Sequence, residues 1–214
     1  MNTIKKIMLC LSWLLTIHNA GAQGTISVSN LGQTPTGNAV VANDSWIAQA
    51  FVTGTNASGY ILNSVQLLMD TASGNPNGFA VSIYSSQPAV APGNNLVNLS
   101  GSDPSAGGVF TYTTSGFTLL PYTAYFVVVN AATSVAQGSY DWSAANGVTH
   151  GSDGRWIIED FYYSSPNGSS WTETSGQDVF QLGIYVTPTP EPSSSLLLFL
   201  GGGVFIYVRR VFHR

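Results

Sequence analysis

The alternation of apolar and polar side chains is the feature that most limits the folds open to this sequence. It recurs in short runs, and no stretch keeps an apolar period of 3.6 residues over several turns. Two runs with one apolar face are residues 60–70, with Val65, Leu67 and Met69, and residues 78–85, with Phe79, Val81 and Ile83. A period of two residues predicts half-buried β-strands.

Other runs rich in β-branched and aromatic residues predict strands at residues 46–53, 109–114, 123–130, 155–159 and 179–186. Clusters of Gly, Pro, Asn and Ser separate the runs, for example at residues 73–78, 91–94 and 165–168. Short strands with this punctuation indicate an all-β fold. We predict an antiparallel β-sandwich or jelly roll over residues 23–186, with residues 123–130 as a fully buried central strand.

The N-terminus has the three parts of a secretory signal peptide. Lys5 and Lys6 precede an apolar run, Ile7 to Ile17, and the small residues Ala20-Gly21-Ala22 follow it. An apolar core this short does not cross the bilayer as a permanent helix. We predict that residues 1–22 are a signal peptide that signal peptidase removes before Gln23.

The C-terminal region, residues 187–214, begins with a proline-rich linker. Ser193 to Val208 carries no charge, and Arg209, Arg210 and Arg214 follow it. Sixteen helical residues cover about 24 Å, a short transmembrane helix whose flanking arginines can reach the interface. Arginines beyond the helix favour the cytoplasmic side, so residues 23–192 are expected to face outward.

Pro190-Glu191-Pro192, the apolar helix at 193–208 and the basic tail at 209–214 resemble, in this order, the PEP-CTERM sorting domain. The resemblance implies recognition of the Pro-Glu-Pro motif by an exosortase, a membrane-embedded cysteine protease that removes the tail. It also implies a Gram-negative bacterium that makes extracellular polysaccharide. An ordinary single-pass anchor with a proline-rich stalk is the alternative.

The body resembles the choice-of-anchor R domain over most of residues 40–186. The segments that carry this resemblance are residues 43–51, 60–68, 78–84, 121–129 and 167–171. The family implies a surface-exposed β-domain, and it provides no catalytic residues to transfer.

The body is unusually poor in cations and thiols. Between Gln23 and Thr189 only Arg155 is basic, against nine acids, a net charge near −8. This balance argues against nucleic acid as a partner, and against binding of an anionic bilayer through the body itself. The single cysteine, Cys10, lies in the signal peptide, so the body has no disulfide, thiolate metal site or cysteine nucleophile.

Catalytic constellations are sparse in the body. His150 is its one histidine, in a segment with loop composition, and no G-x-S-x-G motif accompanies it. Glu159 and Asp160 are neighbours that a strand would point to opposite faces. We therefore predict no catalytic residue and no cofactor, and a glycosidase-like enzyme, in which Glu173 and Asp178 approach Glu159 and Asp160 to give a carboxylate pair, is the less favoured reading.

Two kinds of ligand site remain as candidates. Asp141 and Asp153 are possible calcium ligands on predicted loops, although no D-x-[DN]-x-[DN]-G pattern occurs. Trp142 and Trp171, with Tyr140, are candidates for a sugar-binding platform, because flat aromatic faces pack against pyranose rings. Burial of these aromatic residues in the core is the competing interpretation.

Together these features predict an exported, non-enzymatic surface or extracellular-matrix protein associated with a biofilm polysaccharide. Its precursor would be held in the inner membrane by the C-terminal helix, with signal peptidase and exosortase as processing partners. A carbohydrate-binding module of the polysaccharide matrix is the alternative function.

Overall fold

The computed structural model describes residues 24–87, 91–151, 155–175 and 178–191. The predicted signal peptide, Pro192, the apolar segment 193–208 and the basic tail with Arg209, Arg210 and Arg214 lie outside these residues. Within the described part of the chain there is no helix with the length and hydropathy that a membrane crossing requires.

The described residues form strands joined by turns and loops, without a helix. In chain order the strands are β1 (Thr25–Ser29), β2 (Gly37–Val41), β3 (Trp46–Val52), β4 (Tyr60–Met69), β5 (Ser73–Gly74), β6 (Ala80–Ser86), β7 (Pro92–Leu99), β8 (Gly108–Leu119), β9 (Ala124–Asn130), β10 (Gly138–Asn146), β11 (Thr149–His150), β12 (Ile157–Ser165), β13 (Thr172–Ser175), β14 (Asp178–Phe180) and β15 (Leu182–Pro188).

The strands form two sheets in which every pairing is antiparallel. The first sheet has the order β1-β15-β4-β10-β14, with β2 and β5 paired to β10 and β8 paired to β4. The second sheet has the order β11-β12-β3-β9-β6-β7, with β13 paired to β12. The predicted all-β fold of two antiparallel layers is confirmed.

The main core contains inward-facing side chains of both sheets. The two alternating runs of the sequence supply part of it, as predicted: Val65, Leu67 and Met69 of β4 are buried, and so are Phe79, Val81 and Ile83 in and before β6. The predicted central strand is β9, in which Tyr125 to Val129 are buried on both faces. A second apolar cluster therefore covers the outer face of β9 and its neighbours.

Several predicted strand boundaries differ from the structure; the strand predicted at 109–114, for example, runs from Gly108 to Leu119. The strand predicted at 179–186 is interrupted at Gln181, which separates β14 from β15. The strand predicted at 155–159 starts at Ile157 and continues to Ser165. Thr187 and Pro188, assigned to the linker, are the last residues of β15, because their partners Ile61 and Tyr60 extend the ladder that far.

Gln49 of β3 is a fully buried polar side chain that joins the two sheets. Its Nε2 donates to the carbonyl oxygens of Glu159 (2.9 Å) and Phe161 (3.2 Å), at an irregularity in the pairing of β12 with β3. Its Oε1 accepts from the backbone N–H of Phe180 in β14 at 2.9 Å. Gln49 therefore satisfies backbone groups of both layers that have left regular ladders.

Replacing Gln49 with leucine should destabilise the protein strongly. Leucine is close in size, but it leaves two buried carbonyls and one buried N–H without their partner, which costs about 3 kcal/mol in unfolding free energy. Chemical denaturation measures this change. The control is Gln137→Leu, because Gln137 is exposed and its substitution should change stability by less than about 0.5 kcal/mol. Equal stability of the two variants would contradict the role assigned to Gln49.

Candidate functional site

The two ends of the described chain meet at one end of the sandwich. Thr25, the first residue of β1, pairs with Val186 of β15, and Thr25 Oγ1 donates to the Val186 carbonyl at 3.4 Å. Pro188 at the finish of β15 pairs with Tyr60 at the start of β4, and Tyr60 pairs with Leu119 at the finish of β8. We call this the tail end, because the predicted sorting signal continues from it.

The first two residues of the predicted Pro190-Glu191-Pro192 motif lie on the surface of the tail end. The loop before β4 holds this segment: Thr189 N–H donates to the Gly59 carbonyl at 3.0 Å, and Asn56 Nδ2 donates to the Thr189 carbonyl at 3.1 Å. Glu191 Oε1 accepts from the Ala57 N–H at 3.3 Å. The chain thus leaves the sheet along a fixed path as far as Glu191.

A cavity of about 400 Å³ opens beside this segment. Its lining includes Thr25, Ser27, Asn56, Tyr60, Trp156 and Glu191. Trp156 and Tyr60 meet edge to face with ring centroids 4.8 Å apart. Gly54 packs against both residues, and a Cβ added there would lie 2.6 Å from Trp156 Nε1 and 2.6 Å from the Tyr60 hydroxyl oxygen. Local sequence patterns do not indicate this cavity, because residues from both ends of the described chain line it.

Trp142 and Tyr140 do not form the predicted sugar platform. Both lie inside β10, and their exposed fractions are 0% and 1%. Trp142 stacks on Phe180 with centroids 4.8 Å apart and donates Nε1–H to the Gln181 carbonyl at 2.9 Å. This correction has a simple cause: residues 140, 142 and 144 alternate inward on a strand, where the sequence was interpreted as a polar loop.

Trp171 lies elsewhere, on the outer face of the second sheet. Four aromatic side chains are partly buried there, over a floor of buried side chains from β3, β9 and β12. We call this the outer aromatic face, and its members are Trp46, Tyr84, Phe161 and Trp171. The turn at Gly168 folds over the Trp46 ring, at a φ of +71° that favours glycine. The face keeps aromatic surface partly open to solvent.

Polar groups border the outer aromatic face on both sides. On one side, Ser82 Oγ and Asn95 Nδ2 both donate to Asn98 Oδ1, at 2.8 and 2.7 Å. On the other side, Tyr163 donates its hydroxyl to Glu173 Oε2 at 2.9 Å. Burial, followed by this hydrogen bond and the charge of Glu173, raises the pKa of Tyr163 to about 12. These groups can exchange hydrogen bonds with hydroxyl groups of a ligand.

Of the titratable groups considered for catalysis, His150, Glu159, Asp160 and Glu173 lie on β11, β12 and β13 of the second sheet, and Asp178 lies on β14 of the first sheet. His150 is exposed on the short strand β11, which pairs with β12, and so it is not in the loop that the sequence predicted. Burial and the charge of Asp160 raise the pKa of Glu159, while His150 lowers it. Absence of catalytic activity stays a prediction.

Asp141 lies beside Asp70 and not in the predicted loop. Asp70 N–H donates to the Asp141 carbonyl at 2.8 Å, and Asn38 Nδ2 donates to Asp70 Oδ2 at 2.9 Å. Asp153, the other calcium candidate, lies outside the described residues. Among the residues that are described, no group of three or more His, Cys, Asp or Glu side chains is placed to hold a metal ion.

Replacing Asp141 with asparagine should stabilise the protein near neutral pH. Burial, and then the charge of Asp70, raise the pKa of Asp141 above its usual value. The folded state therefore loses stability as pH rises through this pKa, and an uncharged side chain avoids the loss. The unfolding temperature of the variant should exceed that of the original protein near pH 7, and the difference should shrink below about pH 4.

The control for this measurement is Asp178→Asn. It removes an exposed negative charge but keeps an acceptor for Thr36 Oγ1, which lies 3.2 Å from Asp178 Oδ1. It therefore separates the local effect of burial and of Asp70 on Asp141 from the general relief of charge repulsion. A lower unfolding temperature for Asp141→Asn than for Asp178→Asn near pH 7 would contradict the prediction.

Comparison with protein-family models, with curated proteins and with solved structures finds no match to this chain.

Proposed function

We propose that this protein is an exported, non-enzymatic β-domain that a C-terminal segment tethers to the outer side of the inner membrane. Cleavage at Pro190-Glu191-Pro192 by an exosortase then releases the domain to the cell surface or the extracellular matrix. The observation that supports the proposal is the pairing of Thr25 with Val186, which brings both ends of the domain to the tail end.

This pairing suits a chain with an apolar segment at each terminus. The predicted signal peptide precedes β1, and the apolar residues 193–208 follow β15. Because both segments attach at the tail end, both can lie in one membrane while the sandwich is folded. If the ends left from opposite ends of the sandwich, a strand of seven residues such as β15 would already separate them by about 23 Å.

The tail end is also suited to presenting a cleavage motif. Pro190 and Glu191 are exposed, and three hydrogen bonds from the loop at 56–59 hold the segment before and at Glu191. A protease must draw its substrate into an extended conformation, so these hydrogen bonds have to open before cleavage. Those of Asn56 and Ala57 are half-exposed and exposed contacts, and each of the three is worth about 1 kcal/mol, which a protease can displace.

The sorting step can be tested with two variants that separate recognition from tethering to the loop. Glu191→Gln keeps an acceptor for the Ala57 N–H but removes the charge of the motif, and we expect it to stay uncleaved in the inner membrane. Asn56→Ala leaves the motif intact and removes the hydrogen bond to Thr189, so it should be cleaved at least as fast as the original protein. Immunoblots of membrane and released fractions from the native cells measure both. Normal release of Glu191→Gln would falsify the exosortase assignment.

A carbohydrate-binding module is the second candidate function, and the outer aromatic face is the observation that favours it. Trp171 and its three aromatic neighbours are partly exposed between the amides of Asn95 and Asn98 and the carboxylate of Glu173. Aromatic faces beside amide and carboxylate groups are suited to a sugar ring and its hydroxyls.

Sugar binding at this face can be tested by a pull-down of the full chain, in non-ionic detergent, on insoluble β-glucan. Trp171→Ala should weaken binding by about tenfold or more, the loss expected for one stacking contact. The matched control is Tyr122→Ala, because Tyr122 is an exposed aromatic residue at the tail end. Two outcomes would show that the outer aromatic face is not a sugar site for this class of polymer. Either both variants bind as the original protein does, or neither the variants nor the original protein bind.

A further inference from the structure

The turn between β8 and β9 carries the two most exposed large apolar side chains in the described part of the chain. Leu120 is 59% exposed and Tyr122 is 64% exposed, on either side of Pro121. Single exposed apolar residues are common on soluble proteins. Two large exposed apolar side chains in the same turn are less common and need a physical explanation. We call Leu120, Pro121 and Tyr122 the apolar tip.

The fold holds the apolar tip in place. Tyr122 N–H donates to the Gly54 carbonyl at 3.0 Å, and Leu120 N–H donates to the Tyr125 hydroxyl oxygen, also at 3.0 Å. Thr53 Oγ1 donates to the Leu120 carbonyl at 2.6 Å. Tyr122 has a φ of +49°, and every other positive φ among the described residues belongs to a glycine. A non-glycine residue held in this region is a strained position of the kind that marks functional sites.

The apolar tip belongs to the tail end. Leu119, just before it, pairs with Tyr60, and Tyr60 pairs with Pro188, the last residue of β15. Four residues, 189–192, separate Pro188 from the apolar segment that starts at Ser193. Four extended residues span at most about 14 Å, so a membrane that holds residues 193–208 lies within that distance of the finish of β15.

Part of the body's negative charge lies away from the tail end. Of its acidic residues, Asp44, Asp70, Asp103 and Asp141 lie at the opposite end of the sandwich, near the finish of β4 and the starts of β3, β6 and β10. On the tail-end side of the described chain, Glu191 accepts from Ala57, Arg155 is a cation, and Glu159 and Asp160 follow Ile157 and Ile158, which pair with Val52 and Phe51. Asp44, Asp70, Asp103 and Asp141 therefore lie at the end that faces away from the membrane.

We propose that the apolar tip rests in the headgroup region of the bilayer for as long as the chain is tethered. The proposal builds on the proposed function, because it needs the apolar C-terminal segment in the membrane. The contact is apolar: leucine and proline enter the edge of the hydrocarbon, and the amphipathic tyrosine stays at the level of the headgroups, where this residue is enriched in membrane proteins. It does not need anionic lipid.

Two side chains are too few to hold a protein of this size on a membrane by themselves. The tether supplies a high effective concentration of membrane surface, and the tip contact then sets the orientation of the domain and of the Pro190-Glu191 segment. When the tail is cut, the tip alone does not retain the domain. The contact therefore orients the precursor and does not oppose release.

Spin-label accessibility in vesicles tests this contact. The full chain with Cys10→Ser has no cysteine, so Leu120→Cys or Tyr122→Cys gives a single site for a nitroxide. The chain is reconstituted into vesicles of phosphatidylethanolamine and phosphatidylglycerol. At either position we expect collisions with oxygen, which partitions into lipid, to exceed collisions with a water-soluble nickel chelate. High salt should leave the result unchanged, because the contact is apolar.

The matched control is Val135→Cys. Val135 is 47% exposed in the loop between β9 and β10, and its N–H donates to Asp44 at the opposite end, so its label should collide mostly with the nickel chelate. If the chain floats with the vesicles but labels at 120 and 122 behave as the label at 135 does, the tip contact is overturned and the tether stands. If the chain does not float with the vesicles, the tether fails and the tip contact fails with it.

Discussion

The hydrogen bonds of Gln49 are the interaction on which the two-layer arrangement depends. A sandwich buries the backbone of both sheets, and each point at which a strand leaves its ladder leaves polar groups without partners. The pairing of β12 with β3 is interrupted between Ile158 and Tyr162, and β14 ends at Phe180. One amide side chain serves both interruptions, which fixes the position of one sheet against the other. The aromatic side chains of the core pack around the hydrogen bonds of Gln49, which hold the two sheets in position.

Asn30 and Gln181 are buried amide side chains that satisfy backbone groups of the first sheet, as Gln49 does between the sheets. Asn30 accepts from Leu182 N–H at 2.7 Å and donates to the Phe180 carbonyl at 3.2 Å, and so it bridges the break between β14 and β15. Gln181 donates to the carbonyls of Asn30 and Gln33. Buried amides of this kind specify one register, because a shift by one residue would leave each of them without partners. The position of β15, and therefore of the tail end, follows from these contacts.

Sequence patterns were sufficient for the fold class and for the strands that carry clear alternation, such as β4, β6 and β9. They failed where polar or turn-forming residues lie inside strands. Pro92 and Gly93 indicated a turn but begin β7, an edge strand, where a missing N–H is tolerated. Asp141 was assigned to a predicted loop but lies inside β10, where Tyr140 and Trp142 alternate inward. The burial of Trp142 depends on contacts with residues 38 and 39 positions away, and the meeting of the chain ends on a pairing 161 positions apart, which local patterns do not contain. The interpretation of the sorting motif, in contrast, depends on local sequence alone and on no contact between distant residues.

The pairing of β1 with β15 also has a consequence for the order of folding. Chain growth proceeds from the N-terminus, and the partner of Thr25 is Val186, 161 residues later. The edge of the first sheet therefore stays open until nearly the whole domain has been made, while β6, β7 and β9 of the second sheet already have neighbours within about fifty residues. Closing so long a loop is slow, and an open sheet edge invites pairing with other chains in the meantime. The last strand to emerge is the one that completes the first sheet.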